Sequence, residues 1–196
     1  MILENDFRFR RYNKELAERV SGFDCGDKDL NDFFREDAFN YDAQLLGRSY
    51  CFLSATDNDI AAAFTLSNSA IRVTELPNNA KRRLVKLIPW IKQGRNYPAV
   101  LIGRLGVNVK YRNQKLGSQI IDFIKAWFLS DHNKTGCRFI VVDAYNREDV
   151  LHFYSNNHND FSFLFRDVYQ EKICNSIPEE EPLRTRQMYF DLATLL

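Results

Sequence analysis

Paired cysteines, metal-binding histidines and hydrolase elbows are all missing from this chain. Its four cysteines, Cys25, Cys51, Cys137 and Cys174, lie far apart and form no CxxC. Cys51 and Cys137 fall in apolar runs that predict strands, where a reduced thiol acts as a small hydrophobe, so disulfides are not expected. None of the three histidines, His132, His152 and His158, belongs to an HExxH or a Cys/His cluster, and no metal site is expected. There is no GxSxG elbow and no readable Ser or Cys triad, which leaves hydrolase chemistry without support. Proline and glycine are sparse, at 5 and 8 residues of 196, and no Pro/Gly/Ser-rich linker divides the chain. With 45% apolar content, residues 1–196 suffice for one well-buried domain. No apolar run approaches the ~20 residues a bilayer crossing needs. The opening MILENDFRFR lacks the charged-then-apolar order of a signal peptide, so a cytoplasmic protein with no membrane contact is expected. A formal net charge of +1 argues against a chain dominated by nucleic-acid binding.

What is present is concentrated in Leu101–Ile121, LIGRLGVNVKYRNQKLGSQII. A long apolar strand runs into a basic turn, and the turn opens an amphipathic helix in which Ile120, Phe123, Ile124, Trp127 and Phe128 recur at helical spacing. Near Leu116 the first helical turn has N–H groups without intrahelical partners and the positive end of the macrodipole, which favours an anion. Arg112 and Lys115 add positive charge, and Gly117 permits close approach. The arrangement suits a pyrophosphate, although an ordinary strand–turn–helix with surface basics has a similar signature.

Two further blocks accompany it. Cys137–Asp143, CRFIVVD, is a nearly continuous apolar run of the kind that forms a strand buried on both faces. It is followed by Asn146 and a short helical pattern carrying Val150, Leu151, Phe153 and Tyr154. Near the N-terminus, Phe23-Asp24-Cys25-Gly26-Asp27 precedes an apolar stripe of Leu30, Phe33, Phe34, Ala38, Tyr41 and Leu45, with Asp27 as a helix start. A strand pair, Ser49–Thr56 and Ile60–Ser69, turns at Asp57-Asn58-Asp59.

These residues resemble the GNAT (Gcn5-related) N-acetyltransferases. Arg112-Asn113-Gln114-Lys115-Leu116-Gly117 is similar to their Arg/Gln-x-x-Gly-x-Gly/Ala pyrophosphate loop, Gly103–Val107 to their central strand, and Asn146 with Phe153-Tyr154 to their Asn and Phe-Tyr segment. Lys115 departs from the pattern, standing where the family usually has its first glycine. A side chain is accommodated there if φ is negative, and a lysine can pair with phosphates. The FDCG opening, Ala63–Ser67 and GRLGV resemble one branch in particular, the acetyltransferase toxins of bacterial toxin–antitoxin pairs and their non-toxic relatives. The likeness runs from Phe23 to about Tyr154 and again over Arg184–Asp191.

The resemblance implies acetyl-CoA as acyl donor, held by Leu105, Gly106, Val107, Arg112, Asn113, Gln114, Lys115, Leu116, Gly117, Ser118 and Asn146. It implies an oxyanion stabilised by N–H groups near Leu105–Val107 and Tyr154 as proton donor to the departing thiolate. A phenol of pKa about 10 stays protonated for that task, whereas neighbouring His152 points to a different helix face and is expected to be exposed. The base is left open: Ala99–Val107 contains no Asp or Glu, so water, Asp143, Glu75 or an already neutral amine are the choices. An aminoacyl ester has such an amine, with a pKa near or below about 8.

The acceptor stays open in the same way. Lys81, Arg82, Arg83, Lys86, Lys92 and Arg95 share a span without an acid, either a solvated helix face or a contact for tRNA phosphates. The preferred reading is an acetyl-CoA-dependent N-acetyltransferase acting on a primary amine of a small molecule, peptide or protein. The alternatives are a toxin that acetylates aminoacyl-tRNA, paired with a ribbon-helix-helix antitoxin, and a non-catalytic CoA-binding module. A homodimer is compatible with each.

The expected architecture is α/β (α+β), the GNAT fold: a mixed, mostly antiparallel twisted sheet with a V-shaped opening at the central strands and helices on both faces. Strands are expected at Phe7–Tyr12, the pair above, Ala99–Val109, Cys137–Val142, Ser162–Arg166 and Thr185–Asp191. Helices are expected at Asp27–Leu45, Asn78–Leu87, Leu116–Ser130 and Arg147–Asn156. Val168–Glu181 has no clear pattern and reads as an insertion over the acceptor site or a surface connection.

Overall fold

A computed structural model describes residues 3–19, 22–86, 88, 96–112 and 114–196. Among the described residues seven strands form one mixed, mostly antiparallel sheet in the order β1-β2-β3-β4-β5-β7-β6. They are β1 Phe7–Arg11, β2 Arg48–Ser54, β3 Ile60–Arg72, β4 Asn96–Val107, β5 Phe139–Tyr145, β6 Ser162–Phe163 and β7 Thr185–Asp191. The helices are α1 Leu3–Asp6, α2 Lys14–Arg19, α3 Lys28–Asp32, α4 Ala38–Ala43, α5 Asn78–Val85, α6 Leu116–Leu129, α7 Glu148–Ser155 and α8 Val168–Cys174. Among the described residues no helix is long and apolar enough to cross a membrane. The chain divides into two compact units, Met1–Asn68 with Ile102–Trp127, and Ser69–Leu101 with Phe128–Leu196.

The first unit is organised by alternation in β1. In FRFRR, Phe7 and Phe9 turn inward while Arg8 and Arg10 are exposed, the period of two that a strand imposes. Phe9 is the hub of an aromatic cluster, with ring centroids 5.4 Å from Tyr50, 5.3 Å from Phe52, 4.8 Å from Phe123 and 5.3 Å from Trp127. Phe123 and Trp127 belong to the helical stripe read from the sequence, and this cluster is what that stripe covers. Each such pair contributes about 0.5–1.5 kcal/mol beyond its buried area.

Asp27 is the N-cap of α3, its carboxylate accepting the Leu30 N–H at 3.1 Å. The single helix expected over Asp27–Leu45 is instead interrupted by a π-helical turn at Phe33–Asp37. The wider turn accommodates the burial of consecutive Phe33 and Phe34, which pack with Tyr12, Leu16, Phe23, Cys25 and Cys51.

In the second unit β5 pairs with β7 over their full lengths, from Phe139↔Asp191 to Tyr145↔Thr185. β5 begins two residues later than the apolar run suggested, because Cys137 and Arg138 approach it as loop; the Arg138 N–H donates to the Pro98 carbonyl at 3.0 Å. The unassigned stretch after Val168 contains α8, capped by Asp167, which accepts the Tyr169 N–H at 2.9 Å. Glu171 of α8 is buried with Arg186 of β7: its carboxylate accepts the Arg186 Nε at 2.5 Å and the Gln187 N–H at 2.6 Å. Arg186 also donates to the Phe165 carbonyl and lies 4.8 Å from the Phe163 ring.

Candidate functional site

The residues read as binding and catalytic divide between the two units. Leu105–Val107 and Arg112–Ser118 lie in the first, and Asn146 and Tyr154 in the second. Asn113 lies outside the described residues.

In the first unit, β4 ends at Val107 and the chain makes a short 3₁₀ turn, Val109–Tyr111, before reaching α6. Asn108 fixes the exit. Its N–H donates to the Ala61 carbonyl at 2.9 Å, its buried amide donates to the Ile60 carbonyl at 3.1 Å, and its Oδ1 accepts the Lys110 N–H at 3.1 Å. Lys110 Nζ then bridges Asp57 at 2.6 Å and Asp59 at 2.7 Å. The Lys110 ammonium is the largest cause holding the Asp57 carboxyl well below its usual range. The loop is therefore tied down before the turn into α6 begins.

At that turn Lys115 has φ +57°. The sequence reading made room for a side chain by giving this position a negative φ; the backbone instead keeps the left-handed conformation for which glycine is favoured. Gln114 and Lys115 are exposed, Leu116 is buried, and Gly117 and Ser118 are half-buried. The fourteen-residue α6 follows, with its first intrahelical bond from the Gln119 N–H to the Lys115 carbonyl at 3.1 Å. The amides of Leu116, Gly117 and Ser118 precede that bond and form the positive end of the helix. Arg112 is tied to the first block of the chain, its Nη2 donating to the Cys25 carbonyl.

In the second unit, Tyr154 is a buried residue of α7, its ring set edge-on to Phe153 at 4.9 Å and Phe161 at 5.4 Å. Burial alone pushes its phenol pKa upward, which keeps the proton on oxygen at neutral pH. Asn146 is exposed at the end of β5. Its N–H donates to the Arg184 carbonyl at 2.9 Å and its side-chain amide to the Leu183 carbonyl at 3.0 Å, so its amide nitrogen is engaged with the chain itself. His152 is exposed on α7.

A pocket of about 270 Å³ opens in the same unit, lined by Arg72, Glu75, Asp143, Cys174, Asn175 and Gln187 among others. Both carboxylates considered as bases from the sequence, Asp143 and Glu75, border it. Asp143 is exposed in part, yet its surroundings desolvate it and raise its carboxyl pKa, opposed by a hydrogen bond with Gln187. No local motif announces the pocket, because its walls come from β3, β4, β5, β7 and α8.

The mixed, mostly antiparallel sheet and its flanking helices are those of the GNAT fold. Its structural neighbours are GNAT toxins of toxin–antitoxin pairs. AtaT complexed with acetyl-methionyl-tRNAfMet superposes with a TM-score of 0.71 at 19% identity, covering 97% of each chain. A tyrosine-to-phenylalanine mutant of KacT also gives 0.71 at 19% identity, covering 98% of this chain and all of that one. A tyrosine-to-phenylalanine mutant of the AtaT toxin, bound to the C-terminus of the antitoxin AtaR and acetyl-CoA, gives 0.58 at 17% identity, covering 97% and 96%. Neither a family model nor a curated relative matches the sequence.

Proposed function

We propose that residues 1–196 form a single acetyl-CoA-dependent N-acetyltransferase domain. The observation that carries the reading is the left-handed backbone of Lys115 ahead of α6, which retains a glycine conformation without a glycine and leaves the amides of Leu116–Ser118 for the diphosphate. Gln114–Ser118 hold that diphosphate, with Arg112 and Asn113 at the loop entrance and Asn146 on the cofactor. The N–H groups near Leu105–Val107 stabilise the oxyanion.

The amine nitrogen attacks the thioester carbonyl, the C–S bond breaks and an amide forms. The acceptor occupies the pocket beside Glu75 and Asp143, and Asp143 takes the proton the amine loses. Tyr154 gives its proton to the departing CoA thiolate. Titration with acetyl-CoA, propionyl-CoA and a nucleotide control tests the donor, followed by a mass-shift screen of candidate amines. Saturable acetyl-CoA binding with the nucleotide inert is expected. Tyr154→Phe should fold and bind acetyl-CoA while losing about 10²-fold or more in thioester turnover. Equal turnover in both proteins removes Tyr154 from the mechanism, and no acetyl-CoA binding by the wild type removes the reading.

The second reading, a toxin acetylating aminoacyl-tRNA, is favoured by exposed Lys81 and Arg82 on α5 and exposed Lys86 beyond it. It is also favoured by the fold shared with AtaT, which was solved with acetyl-methionyl-tRNAfMet. Arg83 drops out of that surface, because its Nη2 donates to the carbonyls of Phe163 and Leu164 at 3.1 and 2.9 Å. Lys92 and Arg95 lie outside the described residues. Growth arrest on induction, relieved by a cognate antitoxin, is the expected result; normal growth with soluble, acetyl-CoA-bound protein rejects this reading and keeps the first.

A further inference from the structure

The FDCG turn and the anion loop are far apart in sequence and touch at three places. The Val109 N–H donates to the Asp24 carbonyl at 2.8 Å. The Asn108 amide donates to the Gly22 carbonyl at 3.3 Å. Arg112 Nη2 donates to the Cys25 carbonyl at 2.5 Å. The turn is itself braced, since Asp24 Oδ1 accepts the Gly26 N–H at 2.7 Å and the Asn31 side-chain amide at 2.8 Å, and Asn31 Oδ1 accepts the Cys25 N–H at 2.9 Å.

Two glycines make the contact possible. Gly26 has φ +72°, and a Cβ there would lie 2.7 Å from Arg112 Nη2. At Gly106, the second glycine of GRLGV, a Cβ would lie 3.1 Å from Cys25 Cβ and 3.2 Å from Phe23 Cζ. The glycines of two separate motifs thus admit a single packing of one against the other.

We infer that the Phe23–Gly26 turn is a brace for the anion loop: by clamping Arg112 and Val109 it holds the entrance to α6 in its binding conformation before the diphosphate arrives, which makes Asp24, Cys25 and Gly26 positioning residues for the cofactor. This rests on the acetyl-CoA reading above. A loop ordered in advance loses less conformational freedom on binding, so the brace acts on affinity and leaves the chemical step alone. The Gly26 N–H, and after it the Asn31 side-chain amide, hold the Asp24 carboxyl below its usual range, with a smaller contribution from the Arg112 guanidinium.

The test is a double-mutant cycle on the full chain, read by acetyl-CoA titration calorimetry and by KM and kcat with an accepted amine. Gly26→Ala removes the space Arg112 occupies. It should weaken acetyl-CoA about tenfold and raise KM with kcat little changed, the affinity change matching the loss of the clamp. In an Arg112→Ala background the clamp is already gone, so adding Gly26→Ala should change the affinity by less than about twofold. Gly136→Ala, where a Cβ meets nothing within 4 Å, should bind as wild type does.

Unchanged affinity in Gly26→Ala overturns the brace. So does an equal loss in both backgrounds, which marks a structural effect not routed through Arg112. If Gly26→Ala fails to fold, Asp24→Ala replaces it in the same cycle, removing the acceptor that holds the turn without adding an atom near Arg112. A wild type that binds no acetyl-CoA rejects the cofactor assignment, and the brace with it, and is distinguished by that first titration alone.

Discussion

The two units treat charge in opposite ways. Around the anion loop of the first, ions are wet: Lys110 is paired with Asp57 and Asp59 at exposed positions, and hydrogen-bond donors hold Asp57 and Asp24 below the usual carboxylate range. In the second, one ion pair is taken out of water while others, Arg72–Glu75 and Arg147–Asp149, stay exposed. Glu171 and Arg186 are 1% and 8% exposed, and burial pushes the pKa values of Asp143 and Tyr154 upward. On the function proposed above, the difference separates two tasks. Holding an anion needs amides fixed in position, and ties such as Lys110 to Asp57 and Asp59 fix the chain that leads to them. A carboxylate base works best with its pKa brought toward the operating pH, which desolvation does for Asp143, whereas for Tyr154 the same effect only keeps the phenol protonated.

The largest break in the comparison should come from the buried pair. Glu171→Ala leaves the Arg186 guanidinium without its carboxylate and the Gln187 N–H without its acceptor, and is expected to lower stability by about 3–5 kcal/mol in urea denaturation. Glu171→Gln, which keeps an acceptor oxygen, should lose less. Asp57→Ala, taken from the wet network, should leave the unfolding midpoint close to that of the wild type because exposed pairs contribute little. Similar losses for Glu171→Ala and Asp57→Ala would erase the distinction between the units.

Asp143→Asn sharpens the same contrast through pH. Only the carboxylate form accepts a proton, so wild-type kcat/KM should rise with pH through the raised pKa of Asp143, and the variant should lose that limb together with about 10²-fold of rate. The stability effect has the opposite sign. With a folded pKa above the unfolded value of about 3.9, the folded chain favours the protonated acid; that advantage is present below the unfolded pKa and is lost as pH rises through the folded one. Asp143→Asn should therefore unfold at higher urea than the wild type at pH 7, and the gain should vanish near pH 3. Glu75, Arg72 and Cys174 share the pocket, and Glu75→Gln separates their influence on the profile. An unchanged pH profile in Asp143→Asn sends deprotonation back to water.

Legibility in the sequence followed the same division. The loop and helix of the first unit were readable because their signals are local: Ile120, Phe123, Ile124 and Trp127 repeat at helical spacing, and α6 spans Leu116–Leu129 where Leu116–Ser130 was expected. Asp27 as a cap and the turn at Asp57–Asp59 were readable for the same reason. The π-helical turn was not, since Phe33 and Phe34 fit an α-helical stripe equally well and only tertiary packing distinguishes the two. In the second unit the alternating β7 was legible, while α8, the Glu171–Arg186 pair and the pocket were not. Those depend on partners brought together by strand pairing, and a glutamate in VYQEKIC looks like any solvated helix residue. Tyr154 could be picked out only by its likeness to a family pattern.

The smallest expected effect falls on Lys115. A non-glycine residue at φ +57° is strained by about 1 kcal/mol, and glycine relieves that strain while giving back a few tenths to the freedom of the unfolded chain. Lys115→Gly should therefore gain about 0.5 kcal/mol in urea denaturation. Lys115→Ala keeps the strain and loses the ammonium, so the difference between the two variants isolates the backbone from the charge. If the lysine also meets the phosphates, both variants should bind acetyl-CoA more weakly than the wild type and with a flatter dependence on salt, by equal amounts. A glycine variant less stable than the alanine variant would mean that this position does not hold the left-handed conformation in solution, and the proposed cradle of Leu116–Ser118 amides would lose the backbone turn that presents it.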